Sequence, residues 1–288
     1  MLVRKLRARI AESHALKLRT ERGISPNYPA NPYDIAVKSG IDVLFLALPS
    51  VEGVYIPHGG PRILISSLRP AGRQSFTCAH ELGHHKLQHG EKIDELIESR
   101  RTERINDLDE FQADTFASFL LMPRAAVAHA FNARGWRVEA ALPEQFYQIA
   151  QWLGVGYSTL IGHVSRQLKM LSWSRADELM RKNLKAIRAS LFGKSVNGAI
   201  YLVDQHWATR TIDCEIGDVL LLPRGSVFSG VAISIAERRP TAVVAIASEA
   251  GLSDIQSGDG WGVRVRVGKK GYTGRYVYKF LEETPLEE

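Results

Sequence analysis

The 288-residue chain is 45% hydrophobic and 24% charged, the balance of a globular protein, which excludes disorder as its main state. No stretch approaches the ~18 consecutive apolar residues needed to cross a bilayer. The start, MLVRKLRARIAESHALKLRTERG, is broken by charges where a secretory signal would be apolar, so a soluble, cytoplasmic protein is expected. Cys78 and Cys214 are too few for a disulfide framework, and the net charge of +6 hides an uneven distribution, with residues 1–22 and 160–194 basic and 91–114 acidic.

In chain order, Leu2, Leu6 and Ile10 recur every four residues, predicting an amphipathic helix that covers a core and ends at Gly23 and Pro26. A short helix is expected over 32–39, then strands at IDVLFLAL (41–48) and GPRILISSL (60–68). The pattern is helical from Arg73 to about His89. An acidic connection leads to a further helix over about 107–122, closed by Pro123. The segment EQFYQIAQWLGVGYSTLIGHVSRQLKML holds two helical runs around Gly154-Val155-Gly156, the spacing of a helix-turn-helix, with Ala150 and Leu160 at its small and apolar places. Beyond about residue 195 come short β-branched and aromatic runs, VNGAIYLVD, TRTIDCEI, DVLLLP, TAVVAIAS, WGVRVRVG and GRYVYKFL, separated by turn formers, which predicts a separate β-rich domain.

The chemistry is concentrated in FTCAHELGHHKLQHG, where His80-Glu81-Leu82-Gly83-His84 is an HExxH motif. At ~100° per residue, His80 and His84 share one helix face a turn apart, so two imidazoles can converge on one Zn²⁺ with Glu81 beside the open position. A third ligand is required. The longer HExxHxxGxxH pattern fails, since Leu87 stands at its Gly and Gly90 at its third His. His85 and His89 lie ~140° and ~180° around the helix from His80 and are expected to face solvent or another surface. A carboxylate from the next helix is the other solution. Glu110, with Asp114 four residues on, can ligate while Asp114 accepts the free N–H of a ligating histidine. Glu103, Asp107 and Asp109 are competing ligands. Cys78, two residues before His80, reads as a small buried side chain rather than a redox group.

Taken together, FTCAHELGHHKLQHG, EFQADTFASFLLMP and AQWLGVGYSTLIGHVSRQL resemble the ImmA/IrrE family of bacterial zinc metallopeptidases, over roughly residues 1–175. The resemblance implies that His80, His84 and Glu110 bind zinc and that Glu81 is the catalytic glutamate. It also implies an endopeptidase that cuts a helix-turn-helix transcriptional repressor in a stress or DNA-damage response. The expected class is α+β: a zincin-like protease of a small sheet plus zinc-binding helices (1–135), a helix-turn-helix-like extension (136–190) and a separate β-rich domain (191–288) with a sensing or substrate-docking role.

The expected cofactor is one Zn²⁺ per chain, with Mn²⁺ or another divalent metal acceptable to the same donors. Ile63, Leu64, Ile65 and Ser66 are expected to form an edge for an extended peptide substrate, with an ordinary core strand as the alternative. His129, Tyr147 and His163 are candidates for oxyanion stabilisation, each also readable as a packing residue. The helix-turn-helix-like segment reads as a module for the protein substrate, and DNA binding as the alternative, because its second helix carries long polar side chains only toward its C-terminal end.

Overall fold

The computed structural model describes residues 2–89, 92–95, 107–193 and 198–281. Helices α1 (Leu2–Glu21) and α2 (Pro32–Lys38) precede strands β1 (Asp42–Leu46), β2 (Val51–Ile56) and β3 (Arg62–Ser66). Helix α3 (Ala71–Leu87), strand β4 (Lys92–Glu95) and helix α4 (Leu108–Leu121) follow. The first sheet has the order β13-β1-β3-β2-β4, with β13 (Gly274–Arg275) supplied from the far end of the chain. β1 and β3 run parallel, in register from Asp42↔Arg62 to Leu46↔Ser66, and β2 pairs antiparallel with β3 and β4. The α+β class holds.

Two strands of this sheet escape the sequence reading. Glu52 and Gly53 interrupt the apolar run of β2, and the charged KIDE of β4 reads as a connection. With β2 in place, β3 is interior, bonded to β1 on one side and β2 on the other, and Ile63, Ile65 and Ser66 are buried. The 63–66 segment is therefore a core strand and offers no free edge. β4 has one neighbour among the described residues, so among them it forms the edge of the sheet beside β2.

The buried face of α1 also differs from expectation. Leu2, Leu6 and Ile10 are exposed, while Ala11, Ala15, Leu18 and Arg19 are buried. Small alanines let α1 approach α4 closely, so the face that packs lies roughly opposite the leucine stripe. Arg19 is fully inside and donates to the carbonyls of Ser25, Tyr28 and Leu120, which fastens the end of α1 to α4.

After α5 (Arg124–Asn132), the two runs around Gly154 form α6 (Pro143–Leu153) and α7 (Tyr157–Arg166), followed by α8 (Trp173–Met180) and α9 (Leu184–Phe192). Most of α7 is buried, including Tyr157, Leu160, Ile161 and Val164, and the Tyr157 hydroxyl donates to the Leu179 carbonyl in α8. In its N-terminal turn, the part that would enter a major groove, Tyr157 and Leu160 are engaged inside the protein while Ser158 is exposed.

The β-rich region contains two four-stranded sheets. In one, β5 (Ile200–Leu202), β7 (Val219–Pro223), β10 (Ala242–Ala247) and β9 (Ile233–Arg238) are neighbours in that order. In the other the order is β6 (Ile212–Glu215), β12 (Gly262–Gly268), β11 (Gly251–Gln256) and β8 (Val227–Gly230). β8, β9 and β11 are strands beyond the expected runs. Exposed polar positions break their pattern, with five of the six residues of β9 exposed.

This region is distinct in its sheets yet fastened to the rest. β13 pairs with β1, Arg134 forms a two-point ion pair with Asp204, and the Trp152 indole donates to the His206 carbonyl. One continuous hydrophobic core runs through both parts.

Candidate metal centre

α3 carries the HExxH residues on its buried length, with His80, Glu81 and His84 all nearly inaccessible. α4 begins at Asp107, whose side chain accepts from the backbone N–H groups of Asp109 and Glu110. That capping role accounts for Asp107. Asp109 turns to Arg7 at 3.3 Å, and Glu103 lies outside the described residues. Of the three competitors to Glu110, the two that are described have other partners.

The two helices meet at Gly83, directly before His84. A Cβ there would stand 3.3 Å from the Ala113 Cα and 3.1 Å from the Phe116 ring, so glycine allows α4 near enough for its carboxylates to reach the histidines. Glu110 then places Oε2 3.3 Å from His80 Nε2 and Oε1 3.4 Å from His84 Nε2, and the two Nε2 atoms are 3.0 Å apart. For a tetrahedral ion with ligand bonds of ~2.0–2.1 Å, neighbouring donors stand ~3.3–3.4 Å apart. The three side chains thus form one face of such a polyhedron, and this group of donors can hold a metal ion.

Electrostatics agree with a cation at that point. Burial opposes charge on His80, but hydrogen bonds to Asp114 and Glu110 outweigh it and take its pKa up to about 10. Burial would raise Glu110, yet the two histidines hold its carboxyl far below the usual range. His84 is shifted down, chiefly by burial. A metal taken up here displaces a proton, because ligating imidazole must be neutral. Apparent zinc affinity, read by chelator competition, should therefore rise steadily from pH 6 to pH 8. A flat profile would contradict the assignment.

Each histidine is held from behind. His80 Nδ1 lies 2.9 Å from Asp114 Oδ1, which is the partner expected from the sequence. His84 Nδ1 lies 3.0 Å from His89 Nδ1, and His89 Nε2 lies 3.3 Å from Gln112 Oε1. His89, expected at solvent or another surface, is not among the converging donors, and its side chain is 4% exposed. α3 ends at Gln88 in the left-handed conformation (φ 59°), which turns the chain back so that the helical phase no longer applies. Glycine would have announced such a turn in the sequence, and glutamine does not. His85 does point away, to the Tyr55 hydroxyl at 2.7 Å.

Glu81 is fully buried, with its carboxylate against β2. A Cβ on Gly53 would lie 2.8 Å from Glu81 Oε1 and 2.4 Å from Thr77 Cγ2, so β2 needs glycine for Glu81 to stand where it does. Gly53→Ala should cost ~10²-fold in activity, the scale of a misplacement of about 1 Å, with zinc content unchanged. Parallel rate and metal measurements check this, and full activity would refute it.

The other candidates serve packing. His163 Nε2 sits 2.8 Å from the Met122 carbonyl, and burial takes its pKa down to about 4. The Tyr147 hydroxyl accepts from the Ile200 amide, and His129 stacks edge-on against Tyr28. Cys78 is fully buried, and burial pushes its thiol pKa well up, as suits an inert side chain.

Comparison with known proteins agrees with this geometry. Residues 36–162 match the Peptidase M78 family model, described as the IrrE N-terminal-like domain. Over that segment the chain is similar to an IrrE N-terminal-like domain. The chain is also similar to the radiation response metalloprotease IrrE of Deinococcus radiodurans, 29% identical over 97 residues. That match spans 33% of this chain and only 29% of the relative's length. The IrrE-like domain includes β1 to β3, the metal helices α3 and α4 and the start of α7, while α1 and the β-rich region lie outside the matched residues. No helix among the described residues is long and apolar enough to cross a membrane.

Proposed function

We propose that the chain is a zinc-dependent endopeptidase that hydrolyses a peptide bond in a helix-turn-helix transcriptional repressor during a stress or DNA-damage response. The observation that carries the reading is the convergence of His80, His84 and Glu110 donor atoms with Glu81 adjacent on the same helix. When bound, the metal supplies Lewis acidity to the scissile carbonyl and lowers the pKa of water. Zn²⁺ suits two imidazoles and one carboxylate, and Mn²⁺ or another divalent ion can occupy the same donors.

In this mechanism His80, His84 and Glu110 hold the ion. Glu81 takes a proton from the attacking water at its carboxylate and delivers it to the leaving amine nitrogen. Asp114 accepts the Nδ1–H of His80, which keeps the Nε2 lone pair aimed at the donor cluster. An extended substrate pairs with the open edge of β4, one strand removed from Glu81 through Gly53 of β2. The α6–α7 pair supports a substrate-facing or packing role rather than DNA binding, because Tyr157 and Leu160 of the first turn of α7 are buried and the long polar side chains of α7 lie toward its C-terminal end. The β-rich region, joined to the first sheet by β13, is suited to sensing or docking that is felt at the metal helices.

Incubating the zinc-loaded chain with the helix-turn-helix repressor encoded nearest to it, and following fragments by mass, tests the substrate. Cleavage at a defined bond is expected. Intact repressor alongside cleavage of an unrelated unfolded protein would refute the substrate class while leaving the peptidase.

A further inference from the structure

Three side chains line up behind His84, and with His89 neutral their chemistry fixes where the protons between them lie. Arg7, on α1, places NH1 2.7 Å from Gln112 Oε1, and a guanidinium can only donate, so Gln112 presents its carbonyl oxygen there. His89 Nε2 faces the same oxygen at 3.3 Å and must therefore carry a hydrogen. A neutral His89 then has a lone pair on Nδ1, 3.0 Å from His84 Nδ1. His84 must donate from Nδ1, which leaves the lone pair of its Nε2 directed at His80 and Glu110. Gln112 is 3% exposed and the His89 side chain 4%, so bulk water is kept from the His84–His89–Gln112 part of the chain, while the Arg7 end is open to solvent.

We propose that Arg7, Gln112 and His89 form a proton-ordered chain that holds His84 in its ligating tautomer and orientation, making His89 a positioning residue and tying the N-terminal helix to the metal centre. This rests on the metallopeptidase reading above. The two histidine ligands are then supported differently, His80 by the Asp114 carboxylate and His84 by a neutral imidazole. The left-handed turn at Gln88 is what places His89. Its backbone N–H bonds to the His84 carbonyl at 3.1 Å, so the ring folds beneath the residue it supports.

The test uses the full chain and its His89→Ala, His89→Asn and Glu110→Ala variants. Zinc affinity is read by competition with a chromophoric chelator, and ligand geometry by the visible absorption of the Co²⁺ forms. His89→Ala should bind zinc ~10–100-fold more weakly, the usual effect of losing such a partner, and its Co²⁺ spectrum should change. His89→Asn, whose Oδ1 takes the place of Nδ1 as acceptor, should restore most of the affinity and the spectrum. Wild-type affinity in His89→Ala, or equal weakness in the Ala and Asn variants, would overturn the proposal while leaving the peptidase reading intact. A wild-type chain that binds no zinc, or a Glu110→Ala variant that binds it as the wild type does, would overturn both.

Discussion

Glu81→Gln is expected to abolish peptide hydrolysis and to leave one metal ion per chain. The side chain lies beside His80 on α3 but is not among the three donors that converge, so its loss removes a proton acceptor and no ligand. Glutamine has nearly the same volume and fits the fully buried site, which keeps the packing against Gly53. General base catalysis contributes ~10²–10⁴-fold, so the rate should fall by at least that much. Fragment mass spectrometry beside metal analysis reads both quantities. Cleavage at the wild-type rate would remove Glu81 from the mechanism.

Tyr276→Ala is expected to destabilise the IrrE-like domain, although residue 276 lies far outside it in sequence. β13 pairs antiparallel with β1, with Leu44 opposite Arg275 and Phe45 opposite Gly274. The Tyr276 ring stacks on Tyr33 at 5.0 Å, and its hydroxyl donates to Asp34 at 2.8 Å while accepting from Arg266 at 3.0 Å. Arg275 pairs with Asp42, and the Lys279 ammonium sits 4.4 Å from the centre of the Phe45 ring. Tyr33 and Asp34 belong to α2, which packs on the metal helix α3.

Truncating a buried aromatic costs ~3–5 kcal/mol, and Tyr276→Phe, losing only the hydroxyl contacts, should cost ~1–2 kcal/mol. Urea unfolding of the full chain measures both. Unchanged stability in Tyr276→Ala, or a chain ending at residue 190 that keeps wild-type stability and zinc affinity, would show that the β-rich region is a passive attachment.

How far the sequence foretold this arrangement depends on how local each feature is. The i, i+4 spacing of His80 and His84, and of Glu110 and Asp114, is a property of single helices, so the metal donors and the partner of His80 were legible. The runs of α3 and α4 were legible for the same reason, to within two residues at their ends. Which strand lies at an edge is a tertiary property. β3 looked like an open edge only while β2, disguised by Glu52 and Gly53, was missing from the sheet. The stripe of α1 misled because Ala11 and Ala15, weakly hydrophobic but small, fit against α4 better than Leu2, Leu6 and Ile10. His89 required knowing that Gln88 would leave the helix in a left-handed turn, a conformation only weakly encoded by glutamine. The junction of β13 with β1 joins residues more than two hundred positions apart, beyond the reach of any local pattern.

Zinc K-edge X-ray absorption on the stoichiometrically loaded chain tests the central claim most directly, because it reads ligand type and distance at the ion itself. The account predicts a first shell of nitrogen and oxygen at ~2.0–2.1 Å, with the outer scattering of two imidazoles, that is lost in Glu110→Ala. Sulfur at ~2.3 Å would place the ion at Cys78 or Cys214 instead, and a spectrum unchanged by Glu110→Ala would contradict the His80, His84 and Glu110 site.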